Sequence, residues 1–480
     1  MLLNKPEKNI YFHDIISALS FALDLTQGQP AGHSLRCCWI GMHIGQYLNL
    51  SEQQQHDLYY TLILKDAGCS SNAARLCELY GSDERIVKNA YKEVDSQDKR
   101  LLAKFVLKYC GLEGNSLKKI KNLLVMAFKG EKIAKELITS RCSRGAEVAR
   151  QLGLSEDVAQ GIYSLDEHFN GRGMAYGLRG EEIPLYSRIA ILAQVIDVFF
   201  KVGGKEACNL QVNKRSGLWF DPTLVTYFND LSTNGAFWQG LTTDDLEQRV
   251  TKLQPKKLAV PLTYDLLDNV AEAFGQIIDA KSPFTAGHSQ RVAQYAIKIA
   301  QWVNMTHESK RILYPAALLH DVGKLGVSNT ILDKAGSLDQ HQWDIIKKHP
   351  HYTEEILSRF LPFHSLAQIA GAHHERLDGT GYYKGKKGDE ISPETRIITI
   401  ADIFDALTAE RPYRGALPVA EALKIMDGLR GHALDNDLMD ALHEIIKEED
   451  LISSAPCLHT VIKKTPLMDE NISPQEGLPD

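Results

Sequence analysis

Long apolar runs and cysteine pairs are both missing from this 480-residue chain. No uninterrupted apolar stretch reaches the roughly 20 residues that a membrane-spanning helix needs, so the sequence predicts no membrane span. The N-terminus, MLLNKPEKNIYFHDIISALS, lacks a charged segment followed by a cleavable apolar core. None of the eight cysteines forms a CxxC pair, which favours reduced, buried thiols. We therefore expect a cytoplasmic protein.

The chain also lacks an excess of positive charge, and it lacks sequence patterns typical of β-strands. The formal net charge of −7 and the pI near 6.2 argue against a protein that binds duplex nucleic acid, and leave a small anionic ligand as the charged partner. No stretch shows sustained apolar and polar alternation bounded by hairpin turns. Helical periodicity dominates, since Val270, Phe274, Ile277 and Ile278 share one face. The predicted fold class is mainly α.

One pattern occurs twice along the chain. AGHSLR at 31–36 returns as AGHSQR at 286–291, and LYYTLILKDAG at 58–68 returns as LYPAALLHDVG at 313–323, both 255 residues later. NGRGMAYGLRGEEIPLYSRIAILAQVIDVF at 170–199 corresponds to DGTGYYKGKKGDEISPETRIITIADIFDAL at 378–407, only 208 residues later, so the first copy holds about 47 extra residues. The repetition predicts two tandem helical domains.

The domain boundaries follow from this repeat. The first copy occupies residues 1–250, and the second occupies 263–462. Between them, residues 251–262 hold two prolines among lysines, which favours a linker. The polar, proline-containing segment 463–480 is expected to be a disordered tail.

His320 and Asp321 follow an apolar helical stretch in LYPAALLHDVGKLG, where Gly323 is a plausible helix stop. A buried carboxylate beside a histidine needs a partner, and a metal cation satisfies both. A His-Asp dipeptide alone equally fits a satisfied structural pair. Twelve of the seventeen histidines fall after the linker, however, which is typical of a metal cluster. Other candidate ligands in this half are His288, His349, His373, His374 and Asp402.

Six separated motifs in residues 266–440 resemble the HD-GYP family of phosphodiesterases: GHSQRV, LLHDVGKLGV, ILDKAGSLD, KKHP, HHERLDGTGY and ADIFDALTAERPYR. The resemblance implies two tandem HD-type helical domains, the second being a catalytic HD-GYP domain of five or more helices. It also implies that one metal is held by His288, His320, Asp321 and Asp402. Asp321 would bridge to a second metal, held by His349, His373 and His374.

The resemblance also bears on the number and kind of metal ions. Some family members bind a third metal through a glutamate four residues before the first motif histidine, where this chain has Phe284. A phenyl ring cannot bind a metal, so two ions are expected. Imidazole and carboxylate ligands without thiolate favour iron or manganese, and the resemblance favours iron. Two such cations lower the pKa of water and neutralise a phosphodiester.

Four residues are expected to contact the substrate. Lys324, which with Asp321 forms the predicted catalytic pair, would bind a phosphate oxygen; as an isolated lysine it would simply lie on the surface. Arg411 and Arg414 match family positions that hold phosphates, whereas the alternative is helix-terminal charge. Tyr382 lies in a glycine-rich loop and offers its ring or hydroxyl. Where the family has proline, this chain has Tyr383. Because proline would fix φ, its replacement is expected to relax the loop that lines the nucleotide pocket, which leaves open which cyclic dinucleotide fits.

The first copy lacks most of these groups. It retains His33 and Asp66, but its equivalents of His320, Lys324, His373, His374 and Asp402 are Lys65, Cys69, Leu165, Asp166 and Gln194. A lysine in place of a metal ligand would repel a dication. The first copy is therefore expected to be a degenerate, non-catalytic domain that serves dimerisation, regulation or ligand sensing.

The leading functional hypothesis is a bacterial phosphodiesterase that opens cyclic dinucleotide second messengers to linear 5′-phosphorylated dinucleotides. The resemblance implies cyclic di-GMP as the default substrate, with 3′,3′-cyclic GMP-AMP as the other candidate. Two alternatives are a broader nucleotide phosphohydrolase and a non-hydrolytic cyclic dinucleotide sensor. A homodimer, formed through the N-terminal domain, is expected.

Overall fold

The computed structural model describes residues 10–112, 116–412 and 414–454, with the side chains of 116–118 and 450–454 left out of the description. These residues form α-helices and short 3-10 turns without any β-strand, so the predicted mainly α class is confirmed. The predicted tail at 463–480 lies outside the described residues, as does the end of the predicted catalytic domain at 455–462. No described helix is long and apolar enough to cross a membrane.

Twelve α-helices precede the predicted linker in the described part of the chain. They are α1 (Phe12–Thr26), α2 (His33–Gln46), α3 (Glu52–Leu64), α4 (Ala73–Tyr80), α5 (Glu84–Tyr91), α6 (Lys99–Tyr109), α7 (Ser116–Gln151), α8 (Glu156–Tyr163), α9 (Leu185–Lys214), α10 (Pro222–Leu231), α11 (Gly235–Gly240) and α12 (Leu246–Thr251). Helix α9 is interrupted by non-helical backbone at Gly203 and Gly204.

Ten α-helices follow it in the described residues, and they carry the predicted site. They are α13 (Tyr264–Asp279), α14 (His288–Trp302), α15 (His307–Leu319), α16 (Asn329–Leu332), α17 (Gln340–Ile346), α18 (His349–Ser358), α19 (His364–Gly371), α20 (Pro393–Thr408), α21 (Val419–Asp427) and α22 (Asn436–Ser454). A 3-10 turn, Val322–Gly326, connects α15 to α16.

Side-chain caps and apolar faces explain where these helices begin and how they pack. The Thr263 hydroxyl accepts a hydrogen bond from the amide of Leu266 at the start of α13, and Ser392 caps α20 ahead of Pro393. The predicted face of α13 is confirmed, since Val270, Phe274, Ile277 and Ile278 are all buried. One large hydrophobic core runs through both halves of the described chain, beside a smaller one within the N-terminal half.

Corresponding helices in the two halves begin after a glycine with the same left-handed backbone conformation. Helices α2 and α14 both start at a histidine that follows a left-handed glycine, Gly32 with φ 81° and Gly287 with φ 70°. Any side chain would be strained at that φ, which explains the glycine in both AGHS motifs. The turn places His33 and His288 at the buried first position of their helices.

The two halves pack directly on each other. Lys281 and Glu84 form a buried ion pair of 2.9 Å, and the other Glu84 oxygen accepts hydrogen bonds from the Ser328 hydroxyl and the Asn329 amide. The predicted linker is not a free tether, because residues 10–12 and 260–262 exchange backbone hydrogen bonds and Leu262 is buried. The N-terminal half thus contacts the segment that follows His320 and Asp321.

Candidate metal centre

The predicted metal ligands converge from the ends and middle of several helices in the C-terminal half. His288 opens α14, His320 caps α15, His349 opens α18, and Asp402 lies inside α20. His373 and His374 follow the end of α19. All are buried except His374, which is half-buried. The structure brings together all seven residues that the sequence singled out.

Asp321 lies between two groups of histidines. Its Oδ2 is 3.5 Å from Nε2 of His288 and 3.4 Å from Nε2 of His320. Its Oδ1 is 3.3 Å from Nε2 of His349 and 3.7 Å from Nε2 of His373. The carboxylate therefore faces one group with each oxygen, which is the arrangement that a bridging ligand requires.

The remaining two ligands each join one of these groups. Oδ1 of Asp402 lies 3.3 Å from Nε2 of His288 and 3.8 Å from Nε2 of His320. A nitrogen of His374 lies within 4.8 Å of ring nitrogens of His349 and His373. Each oxygen of Asp321 thus faces its own set of three further side chains.

Four of the histidines each form a hydrogen bond through Nδ1, the ring nitrogen that points away from Asp321. Nδ1 of His320, His349 and His373 donates to the carbonyls of Ala317, Ile346 and Ala370 at 2.7, 2.7 and 2.6 Å. Nδ1 of His288 donates to Asp405 at 2.6 Å. Since an oxygen acceptor places the proton on Nδ1, the Nε2 lone pairs are left for the interior of the site.

The electrostatics of the site fit a bound cation. Burial lowers the pKa of His349 and His373, and that of His374 to about 3, so these rings stay neutral at physiological pH. Burial alone would raise the pKa of Asp402, but the close approach of the His288 and His320 rings holds it well below its usual range.

Three buried polar atoms in the centre of the site have no hydrogen-bond partner among the described residues. They are Nε2 of His288, Nε2 of His320 and Oδ1 of Asp321. Leaving such atoms unsatisfied costs free energy, and a metal ion that accepts their lone pairs removes the cost. The residues present therefore fit a divalent metal centre.

Gly323 is not the helix stop that the sequence suggested. Helix α15 ends at Leu319, and Gly323 lies in the 3-10 turn instead of serving as the helix stop. A β-carbon on Gly323 would lie 2.0 Å from the His349 carbonyl oxygen, so the glycine permits close packing on α18. Lys324 nevertheless reaches the site, with Nζ 2.5 Å from Oδ2 of Asp321.

The two predicted arginine contacts lie at the end of α20. The Arg414 guanidinium donates to the carbonyls of Leu407 and Ala406 at 2.9 and 2.8 Å. Arg411 makes one long bond of 3.5 Å to the Ala406 carbonyl. Both side chains thus hold the C-terminus of the helix that carries Asp402, which is the helix-terminal alternative that the sequence left open.

Tyr382 lies against the site, with its ring centroid 4.8 Å from that of His374. The next residue, Tyr383, is held by its own side chain, because its hydroxyl donates to Glu354 on α18. Lys384 also bonds Glu354, at 2.6 Å. The loop that lacks the family's proline is therefore fixed by side-chain contacts.

A cavity of about 520 Å³ lies beside the site, on the far side of Asp405. Its lining includes Phe284, the residue at the predicted third-metal position, together with Tyr295 and Glu410. Arg291 also lines it and is bound to Asp405 at 2.5 Å. Sequence reasoning missed Arg291 and Asp405, although both lie three residues after a predicted ligand, in GHSQR and ADIFD.

The N-terminal half repeats the contacts of histidine and arginine with an aspartate, but lysines lie where the C-terminal half has its predicted metal ligands. His33 and Arg36 bind Asp197 at 2.6 and 2.5 Å, as His288 and Arg291 bind Asp405. Lys65 binds Asp66 directly and lies 3.0 Å from Nε2 of His33.

A second ammonium group in this half was missed by sequence reasoning. Nζ of Lys92 lies 3.7 Å from the other oxygen of Asp66, whereas Lys65 contacts Oδ2. Lys92 lies between the matched motifs, in the interval where the first copy is longer, so no motif pairs it with a residue of the second copy. Asp66 thus bridges two ammonium groups.

The chain is similar in sequence to a known protein family and to characterised proteins. A family model described as "HD domain" matches residues 272–438. The 3′3′-cGAMP-specific phosphodiesterase 3 of Vibrio cholerae is 51% identical over 433 residues, covering 90% of this chain and 94% of that protein.

Two further similarities have different coverage. A crystal structure of a cyclic GMP-AMP specific phosphodiesterase from V. cholerae matches 92% of this chain and 98% of its own, with a TM-score of 0.63 and 46% identity. A cyclic di-GMP phosphodiesterase response regulator of Xanthomonas campestris is 33% identical over 42% of this chain and 53% of its own length. Together with the geometry of the site, these similarities identify the chain as a member of the HD-GYP family of cyclic dinucleotide phosphodiesterases.

Proposed function

We propose that this protein hydrolyses 3′,3′-cyclic GMP-AMP at a binuclear metal centre, giving a linear 5′-phosphorylated dinucleotide. The observation that carries the proposal is the position of Asp321, whose two oxygens face separate groups of histidines. The 51% identity to a cGAMP-specific relative over nearly the whole chain supports this substrate. Cyclic di-GMP is the second candidate, because shorter matches of about one third identity carry that activity in their names.

Two ions, iron first and manganese second, are the proposed cofactors. The donor set contains five imidazoles and two carboxylates, and none of the seven is a thiolate, which suits these metals. When bound, such ions supply an activated water and neutralise charge on the phosphate. The ligands proposed for one ion are His288, His320, Asp321 and Asp402. Those proposed for the other are Asp321, His349, His373 and His374.

The chain's own groups bind and orient the phosphodiester. Lys324 is proposed to move its ammonium from Asp321 to a phosphate oxygen, since its side chain is 20% exposed while Asp321 is buried. Within the described residues the guanidinium of Arg411 makes one long hydrogen bond, so it is the freer of the two arginine side chains for a phosphate. Arg414 supports the same segment through its carbonyl bonds. Tyr382 offers its ring to a base.

The cavity beside Asp405 supports a guanine-containing substrate. Phe284 and Tyr295 present aromatic rings on which a base can stack. Glu410 is exposed at its edge, and a carboxylate accepts hydrogen bonds from the N1 and N2 groups of guanine. We assign one nucleotide of the ring to this cavity.

The decisive experiment incubates metal-loaded protein with 3′,3′-cyclic GMP-AMP, cyclic di-GMP and cyclic di-AMP, and identifies the products by mass. We expect the mixed dinucleotide to be cleaved fastest, and the full-length Asp321→Ala variant to cleave none of them. Equal cleavage of cyclic di-GMP would contradict the proposed preference. Binding of a ring by the wild type without cleavage would make the protein a sensor, and cleavage of mononucleotides alone would make it a broader phosphohydrolase.

Metal content tests the number of ions separately. Inductively coupled plasma analysis is expected to give about two equivalents per chain, as the bridging position of Asp321 suggests. Three equivalents would contradict the role assigned to Phe284 in excluding a third ion.

A homodimer and a cytoplasmic location complete the proposal. Val202 and Leu210, both well exposed on α9, give the N-terminal half an apolar surface for a second copy. Light scattering of the wild type and of Leu210→Ser tests this contact, and a monomeric wild type contradicts it. Six buried cysteines form no disulfide, as expected in a reducing compartment: Cys37, Cys38, Cys69, Cys110, Cys142 and Cys208. Cell fractionation checks the location.

A further inference from the structure

A segment in the longer middle of the first copy has a concentrated excess of positive charge in an otherwise acidic chain. Residues 99–135 contain ten Lys and Arg against two Glu, a net charge of +8. Because the whole chain carries −7, the remaining residues carry −15. A separation of this size orients the protein in the field of a charged partner.

Apolar side chains are exposed within the same segment. Ile120, Leu124 and Phe128 are 56%, 54% and 84% exposed, and they lie four residues apart on α7. This spacing makes a row about 12 Å long on one side of the helix. Leu107 on the adjacent α6 is 61% exposed as well. Six of the seventeen large apolar residues exposed in the described chain fall between residues 101 and 128.

The row plays no part in holding the fold together. The inner side of α7 buries Ile133 in a small core with Phe105 and Tyr80, and Leu123 and Met126 pack against it. The row lies on the opposite, exposed side, together with Lys121, Lys129 and Lys132. We call these six residues, Ile120, Lys121, Leu124, Phe128, Lys129 and Lys132, the basic apolar face.

We propose that the basic apolar face docks the protein onto an anionic lipid surface. Lysine stems can lie along the acyl boundary while their ammonium groups stay with the headgroups, and Phe, Leu and Ile enter the boundary itself. Each lysine near such a surface adds to binding through the negative potential of the lipids. The acidic remainder is repelled by the same potential, so only this face can approach.

Two other occupants fit the face less well. A second copy docked face to face would bring two segments of net charge +8 together. A protein partner is disfavoured because nine of the ten basic residues are lysine, whereas protein interfaces favour arginine and deplete lysine. An exposed row of apolar side chains flanked by lysines is, in contrast, typical of helices that lie in a membrane interface.

Vesicle flotation of the full-length protein tests the proposal, using phosphatidylcholine vesicles with and without phosphatidylglycerol. We expect binding only to the anionic vesicles, with loss at high salt. The Lys121→Glu, Lys129→Glu, Lys132→Glu triple variant should bind roughly 100-fold more weakly or worse. Leu124→Ser with Phe128→Ser should weaken binding about tenfold or more. All variants should keep wild-type hydrolysis in solution.

Leu361→Ser is the matched control, because Leu361 is 75% exposed on a different part of the chain, and it should bind as the wild type does. The proposal is overturned if the wild type fails to float, or floats equally with neutral vesicles. It is also overturned if the variants float as the wild type does. Lipid-free self-association that the triple variant abolishes would assign the face to a second copy instead.

Discussion

Nδ1 of His288 lies 2.6 Å from Oδ2 of Asp405, and the N-terminal half repeats this contact at the same distance between His33 and Asp197. The pair provides a test of metal binding with a control inside the chain. Asp405→Asn is expected to lower metal affinity or hydrolysis 10–100-fold, roughly, because the orientation and basicity of the His288 ring depend on the carboxylate.

The matched variant Asp197→Asn should leave metal content and turnover unchanged, since its histidine faces lysines. Plasma analysis after dialysis and initial rates measure both effects. Equal loss in the two variants would show that the carboxylate acts only on overall stability.

Lys324→Met is expected to lower kcat about 100-fold while metal content stays at the wild-type level. The ammonium is proposed to stabilise charge on the phosphate, and removal of one such donor costs this much in other enzymes. Steady-state kinetics with plasma analysis check the result, and Lys424→Met, an exposed lysine on α21, is the control. A rise in KM without a fall in kcat would assign Lys324 to substrate binding alone.

Tyr383→Phe is expected to change the ratio of kcat/KM for the mixed ring and cyclic di-GMP by roughly fivefold, the worth of about one hydrogen bond. The variant removes the hydroxyl that anchors the loop to Glu354. Metal content should not change. Glu354→Gln added to this background should change the ratio less than Glu354→Gln alone, because the Tyr383 contact is already gone while the contact with Lys384 is affected equally in both. A full additional effect would rule out that shared contact.

Lys65→Met is expected to lower the free energy of unfolding by about 3–5 kcal/mol, because it leaves the buried Asp66 with one distant cation. Urea unfolding followed by circular dichroism measures the change. Adding Asp66→Asn should recover part of it, since the uncompensated charge is then gone. Loss of the same size in the double variant would locate the effect in packing instead.

Stability should fall on mild acidification because of His168. Burial against Trp219 lowers the pKa of His168 to about 4, from an unfolded value of 6.5. Between these pH values the unfolded chain binds more protons than the folded one, so stability is full above pH 6.5 and declines as the pH falls. His168→Gln should flatten the decline by about 3 kcal/mol between urea titrations at pH 7 and pH 4. The exposed His307→Gln should not.

Sequence motifs predicted the helical class and the residues that converge on Asp321, because each ligand lies in a short pattern of fixed spacing. Lys92 could not be found in this way, since it lies between the matched motifs and meets Asp66 only through tertiary packing. Glu84 and Lys281 are separated by 197 residues and belong to no pattern. The end of α15 was misplaced because the Thr353 hydroxyl, from another helix, donates to the His320 carbonyl and accepts from the Gly323 amide.

Because two lysines neutralise Asp66, the two halves of the chain should respond differently when divalent metal becomes scarce. The cations of the N-terminal half are part of the polypeptide, so chelation cannot remove them, whereas the metal ions proposed around Asp321 could be removed. The N-terminal half also holds the segment after Asp321 in place, because Glu84 accepts hydrogen bonds from Ser328 and Asn329. We therefore expect a protein without bound metal to keep the segment after Asp321 in place. It should regain activity by taking up ions, without refolding.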